Sequence, residues 1–124
     1  MNLKQELKSL KVRGFELKQY TTPKLIWTLE GFGDVIANSD NYAIYIYNSA
    51  TKANVAITKD NNRIEINGDT FSVRLNPDET RDLVGENKFE MYWQVHEDDN
   101  EYIYSTDTST FVIERTLTDP SKLW

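Results

Sequence analysis

The stretch KFEMYWQVHE at residues 88–97 decides the fold that the sequence predicts. Large apolar side chains occupy every second position from Phe89 to Val95, and most of the side chains between them are polar. Alternation with a period of two predicts a β-strand that has one face in a core and the other face in solvent. The pattern places Trp93 in the core and Tyr92 and His96 on the opposite face.

The same period of two recurs on both sides of this stretch. Further strands are predicted at residues 24–30, 42–48, 54–59, 63–67, 70–75, 102–105 and 110–116. The dipeptide Asn67-Gly68, or Gly68-Asp69, is a strong hairpin signal between two of them. Short strands at regular spacing are typical of two packed antiparallel sheets. The sequence therefore predicts an all-β, antiparallel β-sandwich.

One short connecting helix and one loop interrupt the predicted strands. Asn76 is a favourable N-cap, Pro77 suits the first helical position, and Gly85 fits as the stop after Val84. The segment Gly31-Phe32-Gly33-Asp34 is predicted to be a flexible loop, since no helical pattern follows it.

The two ends of the chain differ from the middle. Leu3, Leu7 and Leu10 form one helical stripe, and Gly14 could end that helix. Residues 1–24 carry six basic and two acidic side chains, whereas the other residues carry eight and eighteen. The predicted organisation is a basic helical arm at 1–14, a sandwich at 15–117 and a tail at 118–124. We expect the three leucines, together with Leu123 and Trp124, to contact a partner, because apolar side chains are costly to leave in water.

Composition argues against most enzymatic and nucleic-acid-binding functions. The chain has no cysteine, one histidine and a net charge of -6, and it contains no phosphate-binding glycine loop. An acidic body disfavours nucleic acid, and no apolar run approaches the roughly 20 residues of a membrane span. The N-terminus is too charged for a secretory signal peptide. The acidic run at 97–101 lacks the glycine and distal glutamate of a calcium loop and is predicted to be a solvated hairpin tip. We expect no catalytic residue, cofactor or metal.

Several tyrosines are predicted to lie on the surface of the sandwich. Tyr45, Tyr47 and Tyr92 fall at outward positions of their strands. Exposed aromatic rings can stack on a sugar or anchor a protein interface. The alternative is that they form ordinary cross-strand pairs that stabilise the sheet.

Residues 64–114 resemble the N-terminal domain of upper baseplate proteins of tailed bacteriophages. The residues that match are Leu75, Asp78, Glu79, Thr80, Leu83, Phe89, Tyr92, Phe111 and Ile113. Residues 27–49, WTLEGFGDVIANSDNYAIYIYNS, resemble the opening strands of that domain. The chain departs from the pattern at Asp98-Asp99-Asn100, where the family has an acid-glycine turn, and at Thr108-Ser109, where it has a glycine.

The resemblance implies an immunoglobulin-like sandwich and a non-enzymatic, structural function. The chain would be an adaptor in a bacteriophage virion, in the baseplate, tail, neck or capsid-associated layer, assembled in the host cytoplasm. Its partners would be other virion proteins and copies of itself. The alternative function is a carbohydrate-binding β-sandwich module that uses the surface tyrosines.

Overall fold

A computed structural model describes residues 17–124 in full and the backbone of three strand segments among the first sixteen residues. In chain order the strands of this described part are β1 (Gln5–Lys8), β2 (Lys11–Val12), β3 (Phe15–Glu16), β4 (Lys24–Leu29), β5 (Asn41–Asn48), β6 (Asn54–Thr58), β7 (Glu65–Asn67), β8 (Thr70–Arg74), β9 (Gly85–Glu97), β10 (Asn100–Ser105) and β11 (Ser109–Ile113). Its α-helices are α1 (Gly33–Ala37) and α2 (Pro77–Asp82), and 3₁₀ turns span Lys59–Asn61 and Pro120–Lys122. None of the helices described is long and apolar enough to cross a membrane.

The strands form two antiparallel sheets that enclose the core. The first sheet has the order β1–β4–β8–β7, and the second has the order β6–β5–β9. β10 and β11 share the remaining edge of β9, pairing with residues 92–97 and 85–89 respectively. Between them, Thr106 Oγ1 accepts the Met91 N–H at 3.0 Å, and the Thr106 N–H donates to the Met91 carbonyl at 2.9 Å. This strand order is that of an immunoglobulin-like sandwich, which confirms the predicted fold.

An aromatic contact joins the two sheets at the centre of the core. Trp27 on β4 stacks on Phe71 at 5.9 Å between ring centroids and meets Phe89 on β9 edge-on at 4.9 Å. In antibody domains a disulfide joins the two sheets at the equivalent strands. This chain has no cysteine, so apolar packing of these rings takes the place of that crosslink. The predicted core positions of Trp27 and Trp93 are confirmed, since their exposed fractions are 0% and 4%.

The predicted connecting helix is confirmed as α2. Asn76 Oδ1 accepts the Glu79 N–H at 2.8 Å, and Glu79 Oε1 accepts the Asn76 N–H at 2.9 Å, which is a capping box. Two nitrogens of Arg63 donate to the same carboxylate at 2.6 and 3.0 Å. Burial raises the pKa of Glu79, but its hydrogen bonds to Arg63 and Asn76 outweigh this and leave the pKa lowered. The corner between β8 and β9 is thereby fixed to the loop before β7.

The predicted loop at Gly31–Asp34 was wrong from Gly33 onward, where α1 begins, whereas Gly31 and Phe32 form a turn. The carboxylate of Asp69, from the β7–β8 turn, accepts the N–H groups of Gly31 and Gly33 at 2.9 Å each. A Cβ atom on Gly33 would lie 1.8 Å from the Gly68 carbonyl oxygen, so only glycine allows this close approach. The cap comes from a residue more than thirty positions away, which a local helix pattern does not reveal.

The predicted helix at residues 1–14 was also wrong where the backbone is described. Gln5–Lys8 is a strand that pairs with β4, with Leu7 opposite Trp27, and Lys11–Val12 pairs with β3. A helix of three turns is marginal in water, whereas the free edge of β4 supplies backbone partners. Leu3 and Leu10 lie outside the described residues.

Candidate binding surfaces

The second sheet turns one face, here called the outer face, away from the core. Along β5, Ile44 and Ile46 are fully buried, whereas Tyr45 is 39% exposed and Tyr47 is half-buried. Tyr92 on β9 lies on the same outer face and is half-buried. The structure therefore places the three predicted surface tyrosines on one face of one sheet.

A groove crosses the outer face above Ala43. This small side chain lies opposite Thr58 on β6 and Tyr92 on β9. The groove has a volume of about 320 Å³, and Ile103 on β10, which is 66% exposed, forms one of its walls. The prediction did not include Ala43 or Ile103. The sequence did contain a signal for Ile103. It lies between Tyr102 and Tyr104, on a strand that follows the polar positions of the predicted strand at residues 88–97.

A chain of polar side chains borders this groove. Asn41 Nδ2 donates to Gln94 Oε1 at 2.6 Å, and Gln94 Nε2 donates to the carboxylate of Glu101. Glu101 Oε2 is 3.9 Å from His96 Nε2, and Asp40 Oδ2 is 2.5 Å from His96 Nδ1. The hydrogen bond to Asp40, together with the charges of both carboxylates, raises the pKa of His96 above its usual value.

His96 is thus an exposed imidazole held between two carboxylates, and the raised pKa favours its protonated form. Among the described residues, no group of three or more histidine and acidic side chains is arranged to hold a metal ion. The neighbouring acidic run forms the tip of the β9–β10 hairpin, where Asp98 and Asp99 both have positive φ, at 50° and 64°. That geometry matches a two-residue type I′ turn.

A second surface is formed by the C-terminal segment. Leu123 is 66% exposed and Trp124 is 91% exposed. A groove of about 710 Å³ lies between this segment and α2, and Tyr20, Arg81 and Trp124 are among the residues that line it. The structure therefore leaves the predicted contact residues Leu123 and Trp124 exposed to solvent.

No protein-family model matches this chain, and neither a curated protein nor a solved structure matches it.

Proposed function

We propose that this chain is a non-enzymatic adaptor in a tailed-bacteriophage virion, where it binds other virion proteins. The observation that carries the proposal is the exposure of Trp124, at 91%, next in sequence to Leu123, which is 66% exposed. Tryptophan is one of the residue types enriched among the side chains that dominate protein interfaces. Large apolar side chains held together in solvent are typical of a surface that a partner covers.

The gain from covering Trp124 is large enough to anchor an interface. Aromatic side chains bury about 150–250 Å² each, which at about 25 cal/mol per Å² corresponds to about 4–6 kcal/mol. Part of this gain is offset by the loss of rotational and translational freedom on association. A net contribution of at least about 2 kcal/mol, or about thirtyfold in affinity, is therefore expected from this side chain.

The virion setting is supported by the resemblance of residues 64–114 to upper baseplate proteins. Immunoglobulin-like sandwiches serve many functions, so the fold alone does not select one. The chain has the features of a rigid module, because the Arg63–Glu79 pair and the Trp27 contacts with both sheets fix its interior. A rigid module with exposed apolar anchors suits repeated use around a ring or tail.

Analysis of purified particles tests this proposal. Particles of the phage or prophage that encodes the chain should contain it at a fixed copy number by quantitative mass spectrometry. Trp124→Ala should reduce its incorporation at unchanged expression, whereas Lys122→Ala, a change at an exposed charged residue of the same segment, should not. Absence of the chain from purified particles would contradict the virion function, and full incorporation of the Trp124→Ala variant would contradict the role of this surface.

A further inference from the structure

The amide groups beside the groove above Ala43 have a fixed orientation. An ionised carboxylate only accepts hydrogen bonds, so the nitrogen of the Gln94 amide has to face Glu101. The oxygen of Gln94 then faces the nitrogen of Asn41, as the 2.6 Å contact shows. Each amide nitrogen has a second hydrogen, and Asn41 Oδ1 has no hydrogen bond to the described residues. The groove is thus bordered by two amide N–H groups, one from Asn41 and one from Gln94, and by the Asn41 amide oxygen. All three are able to bond to a ligand.

Apolar surface adjoins these polar groups. The methyl group of Ala43 lies between Tyr92 and Thr58, and Ile103 stands at the edge of the groove. Burial and a hydrogen bond to Glu90 raise the pKa of the Tyr92 phenol above its ordinary value. A ligand in the groove would contact aliphatic and aromatic carbon as well as amide groups.

The charges around the groove disfavour an anionic ligand. Lys59 and Asp60 are lining residues of opposite charge. The Lys59 ammonium already donates to the Ser39 carbonyl at 3.0 Å and lies 5.8 Å from the centre of the Tyr42 ring. It is therefore engaged with the protein, and the acidic side chains nearby would repel an anion.

From these features we infer that the groove above Ala43 is a binding site for a neutral saccharide. Hydroxyl groups both donate and accept hydrogen bonds, which matches the amides of Asn41 and Gln94. The carbon-bound hydrogens of a sugar ring match the apolar surface of Tyr92 and Ile103. The volume of about 320 Å³ lies at the small end of ligand pockets, roughly 300–1,000 Å³, and suits a mono- or disaccharide. This site goes beyond the adaptor function and uses a different surface from Trp124.

Nuclear magnetic resonance titration of the ¹⁵N-labelled chain tests the inference. The probes are glucose, galactose, mannose, N-acetylglucosamine and their disaccharides, added up to tens of millimolar because an open groove predicts a Kd on the order of 1 mM. At least one probe should give saturating shifts at the backbone amides around Ala43 and Tyr92. Ala43→Tyr, which fills the groove, should weaken that binding by about tenfold or more.

Ala56→Tyr is the matched control, because Ala56 lies on the outer face opposite Tyr45 and does not line the groove. It should bind the saccharide as the unmodified chain does. If Ala43→Tyr fails to fold, Gln94→Leu removes the amide at a similar size and should weaken binding in the same way. Trp124→Ala should leave the titration unchanged, so the saccharide site and the adaptor surface can fail separately.

Two results would overturn the inference. One is the absence of saturating shifts with every probe, and the other is equal binding by the unmodified chain and a folded Ala43→Tyr variant. Shifts that depend on protein concentration alone, and that disappear in Ala43→Tyr, would instead identify the outer face as an interface between copies of the chain.

Discussion

The ion pair between Arg63 and Glu79 offers a direct test of what stabilises the corner of the sandwich. Glu79→Gln keeps the size of the side chain and the oxygen that accepts the Asn76 N–H, but it removes the charge that binds the Arg63 guanidinium. The side chain of Glu79 is 15% exposed and that of Arg63 is 33% exposed. Breaking a buried ion pair costs about 3–5 kcal/mol, and an exposed pair contributes less than about 1 kcal/mol. For this intermediate case we expect a loss of about 2 kcal/mol.

Thermal and urea unfolding followed by circular dichroism would measure this loss. A protein of this size changes its Tm by about 3–5 °C for each kcal/mol, so Glu79→Gln should lower the Tm by about 6–10 °C. Asp78→Asn is the matched control, because it removes a charge from the same helical turn at a side chain that is 87% exposed. Its effect should stay within about 0.5 kcal/mol.

The effect of Glu79→Gln should depend on pH in a defined direction. The pKa of Glu79 is lower in the folded chain than its ordinary value of 4.5, so the unfolded chain binds more protons in the window between the two values. The stabilisation is complete above the unfolded pKa and is lost as the pH falls through the folded pKa. The difference in unfolding free energy between the unmodified chain and Glu79→Gln should therefore shrink below about pH 4.5. An unchanged Tm at neutral pH, or a difference that grows on acidification, would refute this reasoning.

Four further predictions follow from other contacts. Asn87→Ala should lower the free energy of unfolding by about 2–3 kcal/mol in urea titrations, because it leaves several buried polar groups unpaired. Gly33→Ala should cost about 2–3 kcal/mol in the same assay, because its Cβ would clash with the Gly68 carbonyl, and a neutral result would contradict the close approach. Ile103→Thr should change the free energy of unfolding by less than about 0.5 kcal/mol, and a loss above about 1 kcal/mol would assign the outer face a structural role. His96 should titrate above 6.5 in ¹H NMR because it hydrogen-bonds to a carboxylate, and a lower value would exclude that contact in solution.

The sandwich was predictable because its strands have strong local signals. The alternation from Phe89 to Val95 and the Gly68-Asp69 hairpin reflect the period of the strand and the geometry of the turn, which both act over a few residues. The cap of α2 at Asn76 is likewise local. The helix α1 was missed because the carboxylate that accepts the Gly33 N–H belongs to Asp69, in a turn that is distant in sequence.

The candidate sites were predictable only in part, for a related reason. Alternation along a strand shows which side chains point outward, and this was sufficient to find Tyr45, Tyr47 and Tyr92. It does not show which residues become neighbours across strands, since this depends on register. The register between β5 and β9 sets Ala43 opposite Tyr92, which forms the groove. The same register sets Asn41 opposite Gln94, which allows their side-chain amides to form a hydrogen bond.

The distribution of polar contacts supports separate roles for the interior and the outer face. Asn48 and Asn87 are fully buried, and each donates to backbone carbonyls near the end of α2, at 2.8 Å to Val84 and to Leu83 respectively. These bonds use polar side chains to fix the fold, and removing them should destabilise it. The side chains of the outer face, by contrast, bond to one another at the surface, and Ile103 remains in water. Because folding gains little from an isoleucine that is 66% exposed, a substitution of Ile103 changes the lining of the groove without changing the core.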